Sequence, residues 1–568
     1  MGAVFFLPSL VKARVMKILI LGGYGVFGGR LAELLCNIPT LEIIVAGRNL
    51  AKAKAQCRAL RGVTHFTPLA LDRDDIQPAL LAHRPDILID ATGPFQDYGE
   101  NPYAALKACI ETQTNYIDFA DGADFVFGVS QFDQAAQQAG VFCLSGVSSF
   151  PVLTAAVMRE IAQKMEITTL TGGIAPSPYA GIGLNVMRAV ISYAGGEVTL
   201  LRNGKEIKAK GLAESQYHTI SPPGILPLRR IRFSLVDVPD LRVIPPEHPQ
   251  LRTIWIGAGP VPESLHIALN LLAKLRAALR LPPLTRFAGL FYRVLNLMRF
   301  GEHRGGMFVS ATGIHQGRPH RISWHLVGEG DDGPYIPAMA IEIVVRKTLA
   351  GSPPAAGARE AVNAVELADY DALFSKRAIS TGFRETTNSH APLYRQILED
   401  SYDTLPESIQ TLHDLDDRME FKGQVEITSP HKRLNRMIAR LFRFPTQSGE
   451  MPATVRFQRN VDGSERWSRD FNGHKFHSVQ SKGCGKSKHL IEERFGPITV
   501  ALALVIKDQK LHLIARHWNI LGIPMPRFCM PNGKAVEYQH NKKFHFDVEI
   551  RLPFIGRLVH YKGWLGPE

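Results

Sequence analysis

Cysteine is scarce in this chain. Six are scattered through 568 residues, at Cys36, Cys57, Cys109, Cys143, Cys484 and Cys529, with no C-x-x-C pair. That pattern excludes a disulfide framework and a thiolate zinc site, so no metal is expected and a reducing, cytoplasmic compartment is. Long apolar runs are missing as well, and none reaches the roughly 18 to 20 residues of a membrane span. There is no low-complexity tract, no internal repeat and no basic run interleaved with aromatics, so nucleic acid is not an expected partner. The N-terminal AVFFLPSLV lacks the positive flank of a signal peptide. Residues 1–16 read as a short extension, with Met16 as an alternative start.

What remains is an ordinary globular composition, 45% apolar and 21% charged. The chain is too long for one core, and about three domains is the prior for such a length. A formal charge of +13 admits an anionic membrane surface or an acidic ligand.

The most informative stretch is KILILGGYGVFGGRLAELL, Lys17 to Leu35. Ile18 to Leu21 read as a strand buried on both faces, and Leu31, Leu34 and Leu35 as the apolar side of a helix. Between them Gly23, Gly25 and Gly28 keep the G-x-G-x-x-G spacing. The first glycine would allow the tight turn, the second the approach of a pyrophosphate, and the third close packing of helix on strand. Gly23, Tyr24, Gly25, Val26, Phe27 and Gly28 therefore form the expected phosphate cradle, at the positive end of a helix. The rival reading is a glycine-rich turn with no ligand.

LEIIVAGR gives a second strand ending at Arg48, where a dinucleotide fold meets the adenosine ribose. An acidic residue there would accept from a free 2′-hydroxyl, whereas an arginine pairs with a 2′-phosphate, so the expected cofactor is NADP(H). Asp72, at the end of a third strand, could receive the adenine amino group or cap the short helix from Asp75 to His83. The fourth strand, DILIDATGPF, runs into Thr92, Gly93 and Pro94, which would wall the nicotinamide side.

The combination GGYGVFGG, AGR and TGPFQDYGENPYAALKACIETQTNYIDF resembles the saccharopine dehydrogenase-like reductases. The matching residues are Gly93, Pro94, Phe95, Tyr98, Gly99, Ala108 to Glu111, and Tyr116 to Asp118. The resemblance implies an NADP-type Rossmann domain over 17–146 and an α+β substrate domain, 147–379, closing over the nicotinamide. One departure follows the strand VFCLSG: the chain reads VSSFPVLTAAVM, with no carboxylate-binding arginine set, so lysine-pathway activity is not carried over.

In the substrate half, TLTGGIAPSPYAGIG is either a substrate loop or a surface crossover, and the resemblance implies that the helix in GPYIPAMAIEIVVRKTLAG packs toward the crevice. Two greasy helices carry narrow polar stripes, His266, Asn270 and Lys274 on one, and Arg286, Arg293 and Asn296 with Arg299 on the other. Burial between domains or subunits (a homodimer included), a membrane-surface pair with its basic stripe toward headgroups, and the wall of a greasy substrate pocket all fit this pattern.

The polar segment 380–392 reads as a linker. Beyond it, 393–568 turns to alternating strands, a mainly antiparallel β domain. One helix interrupts them, with Leu434, Met437, Ile438, Leu441 and Phe442 on one side and Arg433, Arg436, Arg440 and Arg443 on the other. A curved sheet packed on a helix is expected, enclosing an apolar cavity as one option. The ending F-x-F-D-V-x-I…Y-K-G-W-L resembles a bacterial domain of unassigned function found fused behind saccharopine dehydrogenase-like modules. Trp467, Arg469 and Phe471 share one strand face there, either gripping an anionic apolar ligand or forming a core pair with a rim arginine.

The expected function is an NADP(H)-dependent oxidoreductase. A reduction also needs a proton donor, for which Tyr98 and Asp118, with Ser148 behind them, are the candidates. The substrate is an imine or amino acid, as the resemblance implies, or a lipid-like group, as the greasy helices suggest. The rival from another class is a cofactor-binding lipid carrier or membrane-associated scaffold without catalysis.

Overall fold

A computed structural model describes residues 15–567 except 97, 182, 261, 283, 298–299, 386–390, 416, 431 and 442–443. Most of the N-terminal extension, Arg299, Phe442 and Arg443 lie outside the described residues, as does the Arg286 side chain. The chain forms two compact units. The first holds residues up to 218 with 231–321 and 328–379, and the second holds 219–230, 322–327 and 380–568.

The first unit opens with β1 (Met16–Leu21), α1 (Val26–Leu34), β2 (Leu41–Gly47), α2 (Leu50–Ala59), β3 (His65–Ala70), α3 (Ile76–His83), β4 (Ile87–Asp90), β5 (Asn115–Asp118) and β6 (Phe142–Ser145). These strands and a late one, Gly357–Glu360, make a seven-stranded sheet in the order Gly357–Glu360, β6, β5, β4, β1, β2, β3. Every neighbouring pair is parallel. Ile18 to Leu21 and Ile87 to Ile89 are fully buried, as strands covered by helices on both faces must be. The strand order reverses between β1 and β4, and that is where an open α/β sheet leaves its ligand crevice.

A second, mixed sheet follows. Its long central strand β7 (Glu166–Ala175) lies parallel to Thr253–Ala258 and antiparallel to Arg304–His315. The buried helix Ile336–Leu349 packs on α1, and Tyr335 just before it donates to Glu33 at 2.5 Å. This half of the unit therefore backs directly onto the glycine-loop helix.

The helix Glu263–Leu279 sits the other way round from what a polar stripe suggests. His266 and Asn270 face inward, while Leu271, Leu275 and Leu279 on the apolar side are 50–61% exposed. Asn270 is the reason. Its amide donates to the Leu212 carbonyl at 2.8 Å and to Ser234 Oγ at 2.9 Å, and its oxygen accepts from Arg232 Nε at 3.0 Å. Left unmade, buried groups such as these would cost about 1–3 kcal/mol each, which holds the polar side of the helix inward. Among the described residues the apolar face continues through Leu281, Phe287, Leu290, Leu297 and Phe300, all exposed. No helix is long and apolar enough to cross a membrane among the described residues.

The second unit is built on a closed barrel. Among the described residues ten antiparallel strands, from Arg418–Thr428 to Gly556–Pro567 and leaving aside the two-residue strand Ile523–Pro524, each pair with the next, and the first pairs with the last. Two-residue turns with positive φ at Asp508 and Gln509, and again at Asn541 and Lys542, have the twist that tight hairpins require. The expected linker is partly strand: Ile379–Glu385 is extended, and Arg384 is buried, donating to the Ser221 and Ile397 carbonyls and to Glu399. A buried guanidinium with three such acceptors holds a polar stretch in place where composition alone reads as loop. The helix Arg433–Leu441 buries only Asn435 and Ala439, and its apolar residues Leu434, Met437 and Leu441 face outward. Trp467, Arg469 and Phe471 point into the barrel, whose interior holds a cavity of about 450 Å³. Arg469 is thus buried in the interior and not at a rim.

Candidate active site: the nucleotide crevice

The glycine loop joins β1 to α1. The tight turn belongs to Gly22, whose φ of +80° is a conformation L side chains rarely adopt, and not to Gly23. A Cβ on Gly22 would also meet the Ala91 carbonyl at 2.8 Å, since β1 and β4 end side by side. Gly28 is where α1 closes on the turn, because a Cβ there would lie 2.5 Å from Gly22 O and 3.0 Å from Gly23 Cα. Gly25 differs from both. It is exposed, it N-caps α1 without any side-chain cap, and an added Cβ would meet only Gly22 O, at 3.0 Å. The first N–H groups of α1 therefore face open space beside a residue with no side chain, which is the arrangement a pyrophosphate needs. Val26 is exposed and Phe27 stacks on Phe119 at 5.6 Å.

At the end of β2, Tyr24 lies against Gly47 and its hydroxyl accepts from the Asn49 amide at 3.0 Å. Asn49 caps α2, accepting from Lys52 N, and Arg48 beside it is exposed. Asp72 is exposed and caps the turn Arg73–Asp75 through Asp74 N. The β4 end is more closed. Asp90 is fully buried, and burial raises its carboxyl despite hydrogen bonds from Thr92 Oγ1 at 2.6 Å and Tyr98 at 2.5 Å. Arg73 covers the Tyr98 ring, its Cζ 3.8 Å from the centroid. Half-buried Gly93 and Pro94 continue this wall.

Residues 18–144 match the family model of the saccharopine dehydrogenase NADP binding domain. The N-terminal domain is an NADP-binding domain of the saccharopine dehydrogenase type. Its cofactor is NADP(H), and Gly25 with the α1 N-terminus and Arg48 fit the pyrophosphate and the 2′-phosphate. Residues 405–565 match a domain of unknown function, DUF4166. No curated protein matches in sequence. Among solved structures the chain is similar to apo saccharopine dehydrogenase (L-Glu forming) from Saccharomyces cerevisiae, 13% identical over 66% of this chain and 100% of that one, TM-score 0.46. It is also similar to DAP dehydrogenase from C. glutamicum in complex with DAP, 14% identical over 61% and 93%, TM-score 0.32. A third is amine dehydrogenase from Mycobacterium smegmatis, 12% identical over 61% and 95%, TM-score 0.32. The matched domain makes the chain a nucleotide-binding protein.

Around the NADP-binding domain the three proton-donor candidates fall in different settings. The Tyr98 hydroxyl is held between Asp90 and Thr92, and burial beside Asp90 pushes it far above its ordinary value. Asp118 is fully buried, accepts from the Ala120 and Gly146 amides at 2.9 and 2.7 Å, and is pushed up to about 7 by burial. It staples the ends of β5 and β6 together. Ser148 is half-buried on the turn after Gly146, and its side chain makes no cap.

A second group of acids escaped the sequence reading. Asp121, Asp237 and Tyr193 are half-open yet deep-set, and each is electrostatically coupled to another of the three. Burial raises all of them, Asp237 to about 6, with Asp124 pushing Asp237 further and Arg242 opposing. Arg242 bonds Asp124. The loop after β7 meets α1: Ala180 O accepts from Arg30 at 3.2 Å, and a Cβ on Gly183 would touch Val26. Only a local Asp-Gly-Ala-Asp run hinted at Asp121, and nothing in the sequence pairs it with Asp237.

Proposed function

We propose that the protein is an NADP(H)-dependent reductase of an apolar, lipid-like substrate, a cytoplasmic protein held against an anionic membrane surface. The observation that carries this reading is the outward apolar face of Glu263–Leu279 and the residues after it, on the same unit as the NADP(H) crevice. Between 263 and 300 the chain has one acid, Glu263, against Lys274, Arg276, Arg280, Arg286, Arg293 and Arg299. A leucine-rich face with a cationic surround fits an anionic lipid headgroup layer.

When bound, the cofactor supplies the hydride. The chain has four tasks: holding the pyrophosphate at Gly25, fixing the 2′-phosphate at Arg48, excluding water, and delivering a proton. Asp237 suits the last task, because a carboxyl raised to about 6 holds its proton closer to neutrality than a free aspartate does. Ser148 and Tyr193 complete the rim, while Tyr98 and Asp118 position the strand ends. Transfer of deuterium from [4-²H]NADPH to extracted membrane lipids tests the proposal. Label in the apolar fraction, lost in Gly25→Val, is expected. Label confined to water-soluble amines would favour the imine or amino-acid reading, and vesicle and NADPH binding without any transfer would favour the carrier. A second copy covering the apolar face would instead give a stable dimer without vesicles.

A further inference from the structure

The barrel of the second unit has a plugged end and an open end. Helices Leu393–Leu398 and Glu407–His413 close the first: the Leu393 amide donates to Glu465 at 3.2 Å, Ser408 N to Gln539 at 3.0 Å, and His413 meets Glu537 at 2.6 Å. At the opposite end lies the helix Arg433–Leu441, tied down where Asn435 donates to the Ile555 and Arg557 carbonyls. Leu434, Met437 and Leu441 on that helix and Phe554 in the adjoining turn are exposed apolar groups at this rim. The wall is also parted on one side. Strands Lys510–Ile520 and Asn532–His540 pair only through Leu511–Glu537 and His512–Val536, and beyond these pairs both strands line the cavity.

The cavity wall is mostly aromatic and aliphatic, with Phe544, Phe546, Val548 and Leu558 among its members. Its volume, about 450 Å³, is that of a site for a small organic molecule. Its charged groups are already matched, Lys534 with Asp547 and Glu549 with Arg557 among them. Arg469 donates to Ser478 Oγ at 3.0 Å and lies 3.6 Å from Glu493, Ser478 donates to the same carboxylate at 2.7 Å, and Glu537 bonds His413. Arg469, Glu493 and Glu537 all line the cavity and all are buried. An entering anion would thus find its one guanidinium and one ammonium, Arg469 and Lys534, both paired, with the carboxylates Glu493, Glu537 and Glu549 on the same wall. Displacing Glu493 would leave a buried charge unpaired, which costs several kcal/mol. A hydroxyl or amide N–H, in contrast, can donate to a carboxylate lone pair without disturbing either ion pair.

We propose that this barrel is a binding site for a neutral single-chain amphiphile, its hydroxyl or amide head at Glu493 and Glu537 and its hydrocarbon along the wall toward the parted strands and the open end. The site is independent of the NADP(H) crevice and of the reductase reading.

The test is a titration of the full-length protein at pH 7.5 with 1-hexadecanol, hexadecanoate and hexadecylammonium, followed by native mass spectrometry and by the change in tryptophan fluorescence that is lost in Trp467→Phe. Hexadecanol should bind at least tenfold more tightly than either charged analogue. In Glu493→Gln, which keeps the volume but frees Arg469, hexadecanoate should gain at least tenfold relative to hexadecanol. Val548→Trp should fill the cavity and abolish binding of all three, at an unchanged midpoint of thermal unfolding. Should Val548→Trp fail to fold, the Glu493→Gln comparison still decides. Tighter binding of hexadecanoate or hexadecylammonium to the unsubstituted protein, an unchanged preference in Glu493→Gln, or no binding of any probe would overturn the proposal.

Discussion

Gly25→Val isolates the nucleotide site from the fold around it. The residue N-caps α1 with φ −79° and ψ −179°, extended backbone that valine adopts readily. The added Cβ would meet only Gly22 O, at 3.0 Å, and the two methyl groups would project into the space where the pyrophosphate must lie. The cost to the fold is that of a poor N-cap, roughly 0.5–1 kcal/mol. The cost to binding is larger, because at least two charge-assisted hydrogen bonds from the α1 amides are lost, each worth about 1.5–3 kcal/mol. A loss of about 3 kcal/mol or more corresponds to a Kd at least ~100-fold weaker. Calorimetric titration with NADPH measures it directly, and thermal unfolding supplies the control. Saturating NADPH at about 100 Kd should stabilise the parent protein by ~2.7 kcal/mol and the variant by ~0.4 kcal/mol at most. An unchanged Kd in a folded Gly25→Val protein would refute the loop as the phosphate cradle.

Arg48→Ala should remove the preference for NADPH over NADH, roughly 10- to 100-fold for one charge-assisted contact to the 2′-phosphate, and equal affinities in the unsubstituted protein would sink that role. Asp240, fully buried at the start of the helix Asp240–Glu247, is pushed up to about 7 by burial. Below its ordinary value of 3.8 both folded and unfolded chains hold the proton; between there and about 7 only the folded chain does, so stability falls as pH rises through that window. Asp240→Asn should flatten this part of the pH profile of unfolding by roughly 1–4 kcal/mol, and an identical profile would contradict the raised carboxyl. Leu271→Glu with Leu275→Glu, at exposed positions, should leave unfolding unchanged and abolish sedimentation with phosphatidylglycerol vesicles. Persistent sedimentation would locate the membrane contact elsewhere.

The sequence by itself determined the parts whose pattern is local. Glycine spacing between an apolar run and a helix-period run specifies strand, turn and helix, because each step is limited by backbone sterics within a few residues. Strict alternation from Phe544 to Leu552 specifies one wall of a β-structure, and the polar turn Lys507 to Lys510 between two apolar strands specifies a tight hairpin. Arg48 at the end of β2 followed from counting. Even here a neighbour decided a detail: the positive φ falls on Gly22, since β4 brings Ala91 against it.

Tertiary structure decided everything that depends on which surfaces meet. The sidedness of Glu263–Leu279 was unreadable, because amphipathicity marks two faces but does not say which one has partners. Asn270 found Leu212 and Ser234, and the leucines were left outside. Asp121 and Asp237 become one acidic group only when the second sheet is laid beside β5, and Arg384 turns a polar stretch into a strand by reaching Ser221. Whether the alternating strands form a curved sheet or a closed barrel rests on one long-range pairing, Arg418–Thr428 with Gly556–Pro567. That closure encloses Arg469 with Glu493 and sets the charge the cavity offers its ligand. Local conformation is fixed by sterics along the chain, whereas burial and ion pairing are fixed by contacts between residues that no short-range pattern links.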